Sequence, residues 1–469
     1  MNKPLTFNAS VSVRRTPVSA STLLPISFLY YAYYAFVFTL PLQVINIGIS
    51  DFGVSKLFGL ALIGLSLTRP GLCFRRPPKA FQFFKAYLVA YTIWSCVLIL
   101  DPETRWLATA IVTQLFTQVQ LLVLFWISYN LLRSDRVKKA TLFAMALSCI
   151  FIAIALTVGG AVGGQAGIES SIAQTGGGPG DKAVRESAFG ANPNTTATVL
   201  ALGLLSLVGL AYGQRHAATR MRILCWLTGP LLLVSFVRTG SRGNLLALVL
   251  ALFALVMKPH SLRQNLKAGF LVLLSVITLA VASYKLEFIR ERWENTFEEG
   301  DVAGRDEIFA AAWDMFNERP LIGWGPINHL GELGTRLGLD YRDPHNIYLW
   351  VLNETGVLGA IPFFAGLWLC WQSAWRARKG GQGVIPIAIL GYLLLANLKG
   401  SGHLDKFFWL ALAYTLAAGS HVAVIRYRYR SRNTARVNHA SSRTVIQQLR
   451  RSKISKNTNL SQSSYLTRQ

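Results

Sequence analysis

Residues 222–257 read RILCWLTGPLLLVSFVRTGSRGNLLALVLALFALVM. Two runs of mainly apolar residues flank the polar turn Arg238–Gly243 in this stretch. A helix that crosses a bilayer satisfies its own backbone hydrogen bonds and needs about 20 predominantly apolar residues. The stretch therefore predicts a helical hairpin that enters a membrane and returns, with the polar turn at the membrane boundary.

The same apolar character extends over all 469 residues of the chain. Hydrophobic residue types make up 52% of the sequence and charged residues only 15%, whereas an ordinary soluble domain has about 25% charged residues. This composition excludes a soluble cytosolic enzyme and a disordered chain. We predict an all-α polytopic membrane protein with about twelve transmembrane helices. The predicted segments lie near 23–42, 52–68, 83–100, 106–132, 137–158, 195–213, 222–237, 243–257, 268–284, 356–375, 384–398 and 405–424.

Positive charge is distributed unevenly between the predicted loops. With the N-terminus in the cytoplasm, the cytoplasmic leader, loops and tail, together with Lys85, contain 32 of the 47 Lys and Arg residues but only one of the 22 acidic residues. This asymmetry agrees with the positive-inside rule, so both termini are predicted to be cytoplasmic and the Arg238–Gly243 turn periplasmic. The formal net charge of +25 then reflects topology and contact with membrane lipids, and we predict no nucleic-acid partner.

The polar segments divide the chain into parts of different character. In order, we predict a cytoplasmic leader (1–22), transmembrane helices 1–5 (23–158), a Gly-rich periplasmic loop (159–194), transmembrane helices 6–9 (195–284), a large periplasmic loop with the chemical motifs (285–355), transmembrane helices 10–12 (356–424) and a basic cytoplasmic tail (425–469). Residues 285–344 of the large loop hold 13 of the 22 acidic residues, and the helical spacing over Asp306–Glu318 predicts a small helical cap. The cysteines and histidines show no spacing that suggests a disulfide framework or a metal site.

The polar turn between the seventh and eighth segments could bind an anion. Ser241 is suited to cap the following helix, which puts Arg242 in its first turn. A cation is unfavourable at the positive end of a helix dipole, and a bound phosphate would remove that conflict. The alternative is that Arg238 and Arg242 extend to lipid headgroups.

A second candidate site begins at Asp343-Pro344-His345-Asn346. Asp at the cap and Pro at the first position predict a helix start, with His345 in the first turn. The helix dipole there favours the neutral imidazole, which can accept a proton. The alternative is a histidine that only bonds to the backbone. Glu354 lies about 180° around the same helix and is a poor candidate to orient His345.

Two further features of the large loop have simpler interpretations. Arg305 begins the predicted cap helix, where it could bind an anion or pair with the neighbouring Asp306 and Glu307. Gly323 and Gly325 are interpreted as an ordinary turn.

Taken together, the motifs resemble a known family. Gly304-Arg305, Glu318–Gly325 (ERPLIGWG), Pro344–Leu349 (PHNIYL) and Glu354–Gly359 (ETGVLG) are similar to the signature of the O-antigen ligase family. Its superfamily includes the Wzy-type polysaccharide polymerases. The sequence TGSRG at Thr239–Gly243 resembles the upstream arginine motif of the family, and Arg185 with GANPN at Gly190–Asn194 resembles a looser one. The resemblance covers about 185–360.

The resemblance implies a glycosyltransferase of the GT-C type in the bacterial inner membrane, with a periplasmic active site and no metal or other cofactor. The donor would be a glycan on undecaprenyl diphosphate. The acceptor would be lipid A-core for a ligase or a second lipid-linked glycan for a polymerase, and other polysaccharide assembly proteins are candidate partners. Direct displacement of the diphosphate would invert the anomeric carbon.

The resemblance also implies roles for individual residues. Arg242 and Arg305 would bind the diphosphate, and His345 would act as a base or orient the acceptor. Charge and position add Arg238 and Arg185 to the diphosphate site. Asn346 and Asn194, within the matched motifs, are candidate acceptor-contacting or supporting residues.

The main alternative is a transporter or flippase for lipid-linked oligosaccharides. Such proteins usually contain repeat-related halves and polar breaks at the membrane midplane. This chain instead concentrates its polar residues in one large outer loop, which favours transfer chemistry. The sequence leaves open the choice between ligase and polymerase, the sugar and the acceptor.

Overall fold

The computed structural model describes residues 26–42, 53–162, 187–189, 191–212, 219–254, 290 and 305–420. All regular elements within these residues are helices, with no β-strand, which confirms the predicted fold class at the all-α level. The α-helices are α1 (Ile26–Thr39), α2 (Val54–Leu67), α3 (Pro70–Cys73), α4 (Lys79–Leu100), α5 (Ala108–Leu131), α6 (Asp135–Val162), α7 (Pro193–Tyr212), α8 (Thr219–Arg238), α9 (Arg242–Phe253), α10 (Arg305–Glu318), α11 (Asn328–Arg336), α12 (Ile347–Ala377), α13 (Ile385–Ala396) and α14 (406–420).

Six helices in the described part of the chain are long and apolar enough to cross a membrane. They are Lys79–Leu100, Arg105–Leu131, Asp135–Val158, Pro193–Ala211, Thr219–Arg238 and Ile347–Ala377. Shorter apolar helices cover Phe28–Leu42, Val54–Leu67, Arg242–Phe253 and Ile385–Lys399, where four more segments were predicted. The predicted segment 268–284 lies outside the described residues, as do most of the Gly-rich loop and the whole basic tail. The total of twelve spans therefore stays a prediction.

Small residues allow neighbouring helices to approach closely. Helix α7 packs against α6 and α8, and α12 packs along α4. A β-carbon at Gly203 in α7 would overlap the side chain of Cys149 in α6, and one at Gly366 in α12 would overlap the ring of Phe84 in α4. In a lipid environment, association of helices depends on such close packing because lipid is as apolar as the side chains. These contacts hold the bundle that carries the loops.

Helix α12 is interrupted at Gly356, where φ is 59° and ψ is −166°. A β-carbon at Gly356 would overlap the backbone of Leu321 and Ile322, so both the conformation and the space require glycine. The interruption releases backbone groups that would otherwise bond within the helix. Segment Pro320–Gly325 forms backbone hydrogen bonds with these released groups.

Four backbone hydrogen bonds dock this segment onto the interruption. They are Trp324 N to Asn353 O (2.7 Å), Gly325 N to Glu354 O (3.0 Å), Val357 N to Pro320 O (2.8 Å) and Leu358 N to Leu321 O (3.1 Å). Gly323 and Gly325 have φ values of 72° and 89°, which let the segment follow the helix closely. Gly323 and Gly325 belong to the turn that follows α10, as interpreted from the sequence, and this turn also forms a docking surface for α12.

Helices α10 and α11 form a small unit against α12. Its apolar centre contains Ile308, Ala312, Met315 and Leu333. The Asn353 side chain of α12 donates to Ala312 O (2.9 Å), and the Trp324 indole donates to Met315 O (2.8 Å). The observed start of α10 at Arg305 and its end at Glu318 agree with the expected cap helix. This docking fixes Arg305 relative to the start of α12.

Candidate functional site

The hairpin of α8 and α9 has Arg238 as the last residue of α8 and Arg242 as the first residue of α9. Ser241 occupies the N-cap position, but its side chain makes no capping hydrogen bond to the helix backbone. Its hydroxyl instead donates to Asn194 Oδ1 (2.8 Å) and accepts from Asn244 Nδ2 (3.0 Å). The expectation of a Ser241 side-chain cap was wrong, because the neighbouring amides compete for the hydroxyl.

Asn244 links three helices behind the arginine turn. It is 3% exposed, and its Nδ2 donates to Asn194 O of α7 (3.0 Å). Its Oδ1 accepts from the Tyr392 hydroxyl of α13 (2.9 Å) and from Thr198 Oγ1 (3.3 Å). Buried polar groups with all partners in place define a unique arrangement. Asn194 and Asn244 therefore support the turn that carries Arg242. Asn244 could have been noticed in the sequence as an amide directly before the apolar run of α9.

Lys399 is a second cation at the start of α9. It ends the short 3-10 helix Asn397–Lys399, which follows α13. A β-carbon at Gly243 would overlap the ammonium end of the Lys399 side chain, so this lysine lies directly against the first turn of α9. Sequence reasoning missed Lys399, because a lysine just beyond an apolar segment resembles an ordinary flanking residue.

His345 lies just before α12 and not within its first turn. The N-cap of α12 is Asn346, whose Oδ1 accepts from Tyr348 N (2.9 Å) and Leu349 N (3.2 Å). His345 itself has a φ of 48°, a left-handed conformation that is rare outside glycine. The predicted start at Asp343 was therefore wrong, since the amide of Asn346 satisfies the first backbone N–H groups and begins the helix three residues later.

The pKa of His345 is lowered from its ordinary value, chiefly by burial. The negative charge of Asp343 raises this pKa, whereas the positive charges of Arg305 and Arg342 lower it. The expected direction is confirmed, but partial burial and nearby arginines replace the helix dipole as the cause. The effect of Arg305 also means that the start of α10 and His345 are electrostatic neighbours.

Asp343 contacts both His345 and the loop after α13. Its Oδ1 accepts from His345 N (2.6 Å) and lies 3.7 Å from His345 Nδ1. Its Oδ2 accepts from Ser401 Oγ (2.5 Å). Sequence reasoning treated Asp343 only as a helix cap.

The loop between α13 and α14 (residues 397–405), called here the connecting loop, joins the two halves of the site. Lys399 in this loop contacts the arginine turn at Gly243, and Ser401, two residues later, contacts Asp343 beside His345. The turn of Arg242, the start of α10 and the segment before α12 thus meet at one end of the bundle. Of the other predicted site residues, Asn346 is the N-cap of α12, and Arg185 lies outside the described residues.

Comparison with known proteins bears on this same region. Residues 227–364, from α8 to the middle of α12, match a family model described as O-antigen ligase. Over these residues the chain is similar to the O-antigen ligase family. The match confirms the resemblance drawn from the motifs, and it includes Arg238, Arg242, Arg305 and His345.

A curated relative extends the comparison. An O-antigen ligase of Pseudomonas aeruginosa (strain PAO1) is 26% identical over 250 residues. The aligned region covers 50% of this chain and 57% of the relative, so the chain matches little more than half of that protein's length. Lys399 and Ser401 of the connecting loop lie beyond the residues that match the O-antigen ligase family model.

Glu354, within the matched residues, bonds to side chains of neighbouring helices. It is fully buried, and its carboxylate accepts from the Tyr87 hydroxyl (2.7 Å), the Trp350 indole (3.2 Å) and, more weakly, the Gln114 amide (3.4 Å). These partners tie α12 to α4 and α5. Among the hydrogen bonds of the described residues, Glu354 makes none with His345, in agreement with the expectation that it is a poor candidate to orient that imidazole.

Proposed function

We propose that this protein is a glycosyltransferase of cell-surface polysaccharide biosynthesis. It transfers glycan from an undecaprenyl diphosphate donor onto a sugar hydroxyl at the periplasmic face of the bacterial inner membrane. The observation that carries the proposal is the meeting of the Arg242 turn, Arg305 and His345 around the connecting loop. The O-antigen ligase match over the same residues supports it.

The cationic residues suit the diphosphate of the donor. Arg242 at the helix start and Arg305 on α10 offer planar guanidinium groups, which bind phosphate oxygens through paired hydrogen bonds. Lys399 adds a compact charge beside Arg242. The first-turn N–H groups of α9 also favour an anion. Together these groups can stabilise the negative charge that develops on the leaving diphosphate, without help from a metal.

His345 is suited to activate the acceptor. Its lowered pKa keeps the imidazole neutral near pH 7, so the ring can accept a proton. In the proposed step, His345 takes the proton of the acceptor hydroxyl as that oxygen bonds to the anomeric carbon. The bond from the anomeric carbon to the phosphate oxygen breaks, and its electron pair leaves on undecaprenyl diphosphate. Attack opposite the leaving group inverts the anomeric carbon.

The distribution of charge supports a periplasmic position of the proposed site. If the leader, short basic loops and tail are cytoplasmic, as the positive-inside rule predicts, the site end of the bundle faces the periplasm. A lipid A-core acceptor, and hence a ligase, is favoured because the curated relative is described as an O-antigen ligase.

The test is a reconstitution of the purified full chain with undecaprenyl diphosphate-linked glycan in liposomes. Rough lipopolysaccharide without O-antigen serves as acceptor. We expect glycan to appear on the lipopolysaccharide and undecaprenyl diphosphate to be released. Glycan joined to a second lipid-linked glycan would identify a polymerase. Glycan that only crosses the bilayer on its carrier would contradict the proposal and indicate a transporter.

A further inference from the structure

Both carboxylate oxygens of Asp343 are held by donors from separate parts of the chain. Ser401 Oγ, 58 residues away in the connecting loop, donates to Oδ2 at 2.5 Å. The backbone N–H of His345 donates to Oδ1 at 2.6 Å. A carboxylate with a donor on each oxygen cannot rotate freely, so its position relative to His345 is set by two independent contacts.

The backbone of His345 adds to this arrangement. A left-handed conformation is unfavourable for a residue with a β-carbon, and His345 has a φ of 48°. The hydrogen bond from its N–H to Asp343 contributes to holding this conformation. It also brings Nδ1 of the imidazole to 3.7 Å from Oδ1 of the same carboxylate. Catalytic hydrogen bonds are often this long before substrate binds and shorten in the reacting complex.

We propose that Asp343 is a positioning residue for His345: its carboxylate, anchored by Ser401, orients the imidazole through Nδ1 and leaves Nε2 facing the acceptor hydroxyl. This inference rests on the proposed role of His345 as the base in glycan transfer. In the step, the proton of the acceptor hydroxyl moves to Nε2, and the Nδ1–H bonds to Asp343. The proton is released to water after undecaprenyl diphosphate has left.

The charges around His345 explain why such a carboxylate is needed. Arg342 from the same segment and Arg305 from α10 both oppose a positive charge on the imidazole, and Asp343 favours it. A base that gains a proton near two guanidinium groups is destabilised unless a negative charge compensates. The same carboxylate also acts electrostatically on His329 and Tyr341 nearby. Among the described groups that act on His345, Asp343 is the acidic side chain that can compensate the positive charge of the protonated imidazole.

The experiment compares Asp343→Asn and Ser401→Ala with the matched control Asp340→Asn, an exposed carboxylate three residues earlier. The full chain is purified in nanodiscs, and thermal unfolding verifies that each variant is folded. One measurement is the release of undecaprenyl diphosphate against pH, with rough lipopolysaccharide as acceptor. The other is the rate at which diethyl pyrocarbonate modifies His345 against pH, read by mass spectrometry, which reports the titration of the imidazole without requiring transfer.

For Asp343→Asn we expect the midpoint of the His345 titration to move down by about one pH unit and release at pH 7 to fall by about tenfold to a hundredfold. Ser401→Ala should lower the midpoint of the His345 titration and the release at pH 7 by smaller amounts. Asp340→Asn should leave both quantities as in the unchanged protein. An unchanged His345 midpoint in Asp343→Asn overturns the inference, even if activity is lost. If Asp343→Asn does not fold, Ser401→Ala decides by the same criterion. Absence of release from the unchanged protein would instead contradict the proposed function.

Discussion

The side chain of Lys399 lies against the backbone of Gly243, at the first turn of the helix that Arg242 begins. Any side chain at Gly243 would occupy the space of the ammonium group. Two residues further along the same loop, Ser401 bonds to Asp343 beside His345. The connecting loop therefore couples the position of the arginine turn to that of the histidine, although the two lie about a hundred residues apart in the sequence.

The first prediction concerns Gly243. In Gly243→Ala the new β-carbon would displace the flexible Lys399 side chain, so the protein should fold while transfer falls by about tenfold. Lys399→Met should lower transfer to a similar extent, and the double variant should be no worse than either single one. Glycan transfer and thermal unfolding check these outcomes.

Gly331→Ala is the matched control for Gly243→Ala, since Gly331 is helical and a β-carbon there meets nothing within 4 Å. It should retain full transfer and gain up to about 1 kcal/mol of stability from helix propensity. Full activity in both Gly243→Ala and Lys399→Met would remove Lys399 from the site.

The second prediction concerns the arginines. Arg242→Lys and Arg305→Lys keep the charge but lose the paired hydrogen bonds of the guanidinium group. Each should reduce transfer by about tenfold to a hundredfold and weaken the binding of undecaprenyl diphosphate, measured by titration of the purified protein. Arg220→Lys, at the exposed opposite end of α8, should change neither quantity. Normal donor binding in both site variants would show that these arginines only contact headgroups.

The third prediction concerns His345. His345→Ala should abolish transfer, and thermal unfolding should change little because the side chain is 36% exposed. Since the pKa of His345 is lowered, the neutral base persists to a more acidic pH than for an ordinary imidazole with a pKa of about 6.5. Activity should therefore stay high as pH falls through 6.5 and be lost only at a more acidic pH, once the imidazole is protonated. A pH–rate profile with its acidic midpoint above 6.5 would contradict the assignment.

The fourth prediction concerns the interruption of α12. Gly356→Ala combines a left-handed backbone with an overlap on the Leu321 and Ile322 backbone, so it should destabilise the docked segment by about 2 kcal/mol or more. We expect a lower unfolding temperature and faster proteolysis of the part that carries Arg305. Gly64→Ala in α2, where a β-carbon meets no neighbour, is the control and should show neither a lower unfolding temperature nor faster proteolysis. Unchanged proteolysis in Gly356→Ala would show that the docking does not depend on this residue.

The sequence by itself determined the approximate positions of most apolar helices and of the cap helix. The segments predicted at 52–68 and 106–132 correspond to Val54–Leu67 and Ala108–Leu131, and the cap helix Asp306–Glu318 corresponds to Arg305–Glu318. Apolar length and periodicity are properties of neighbouring residues, so they can be recognised without knowing the rest of the fold. The arginine turn and the histidine were found for the same reason, because each stands out against its local surroundings.

Only the tertiary structure decided how these pieces meet. Helix α12 begins after Asn346 and not after Asp343, because the Asn346 side chain caps the first backbone N–H groups while Asp343 accepts from Ser401. The docking of Pro320–Gly325 onto Gly356 and the approach of Lys399 to Gly243 likewise join residues far apart in the chain. Such contacts depend on which surfaces pack together and at what distance. The spacing of residues along a single sequence does not show which surfaces pack together or at what distance.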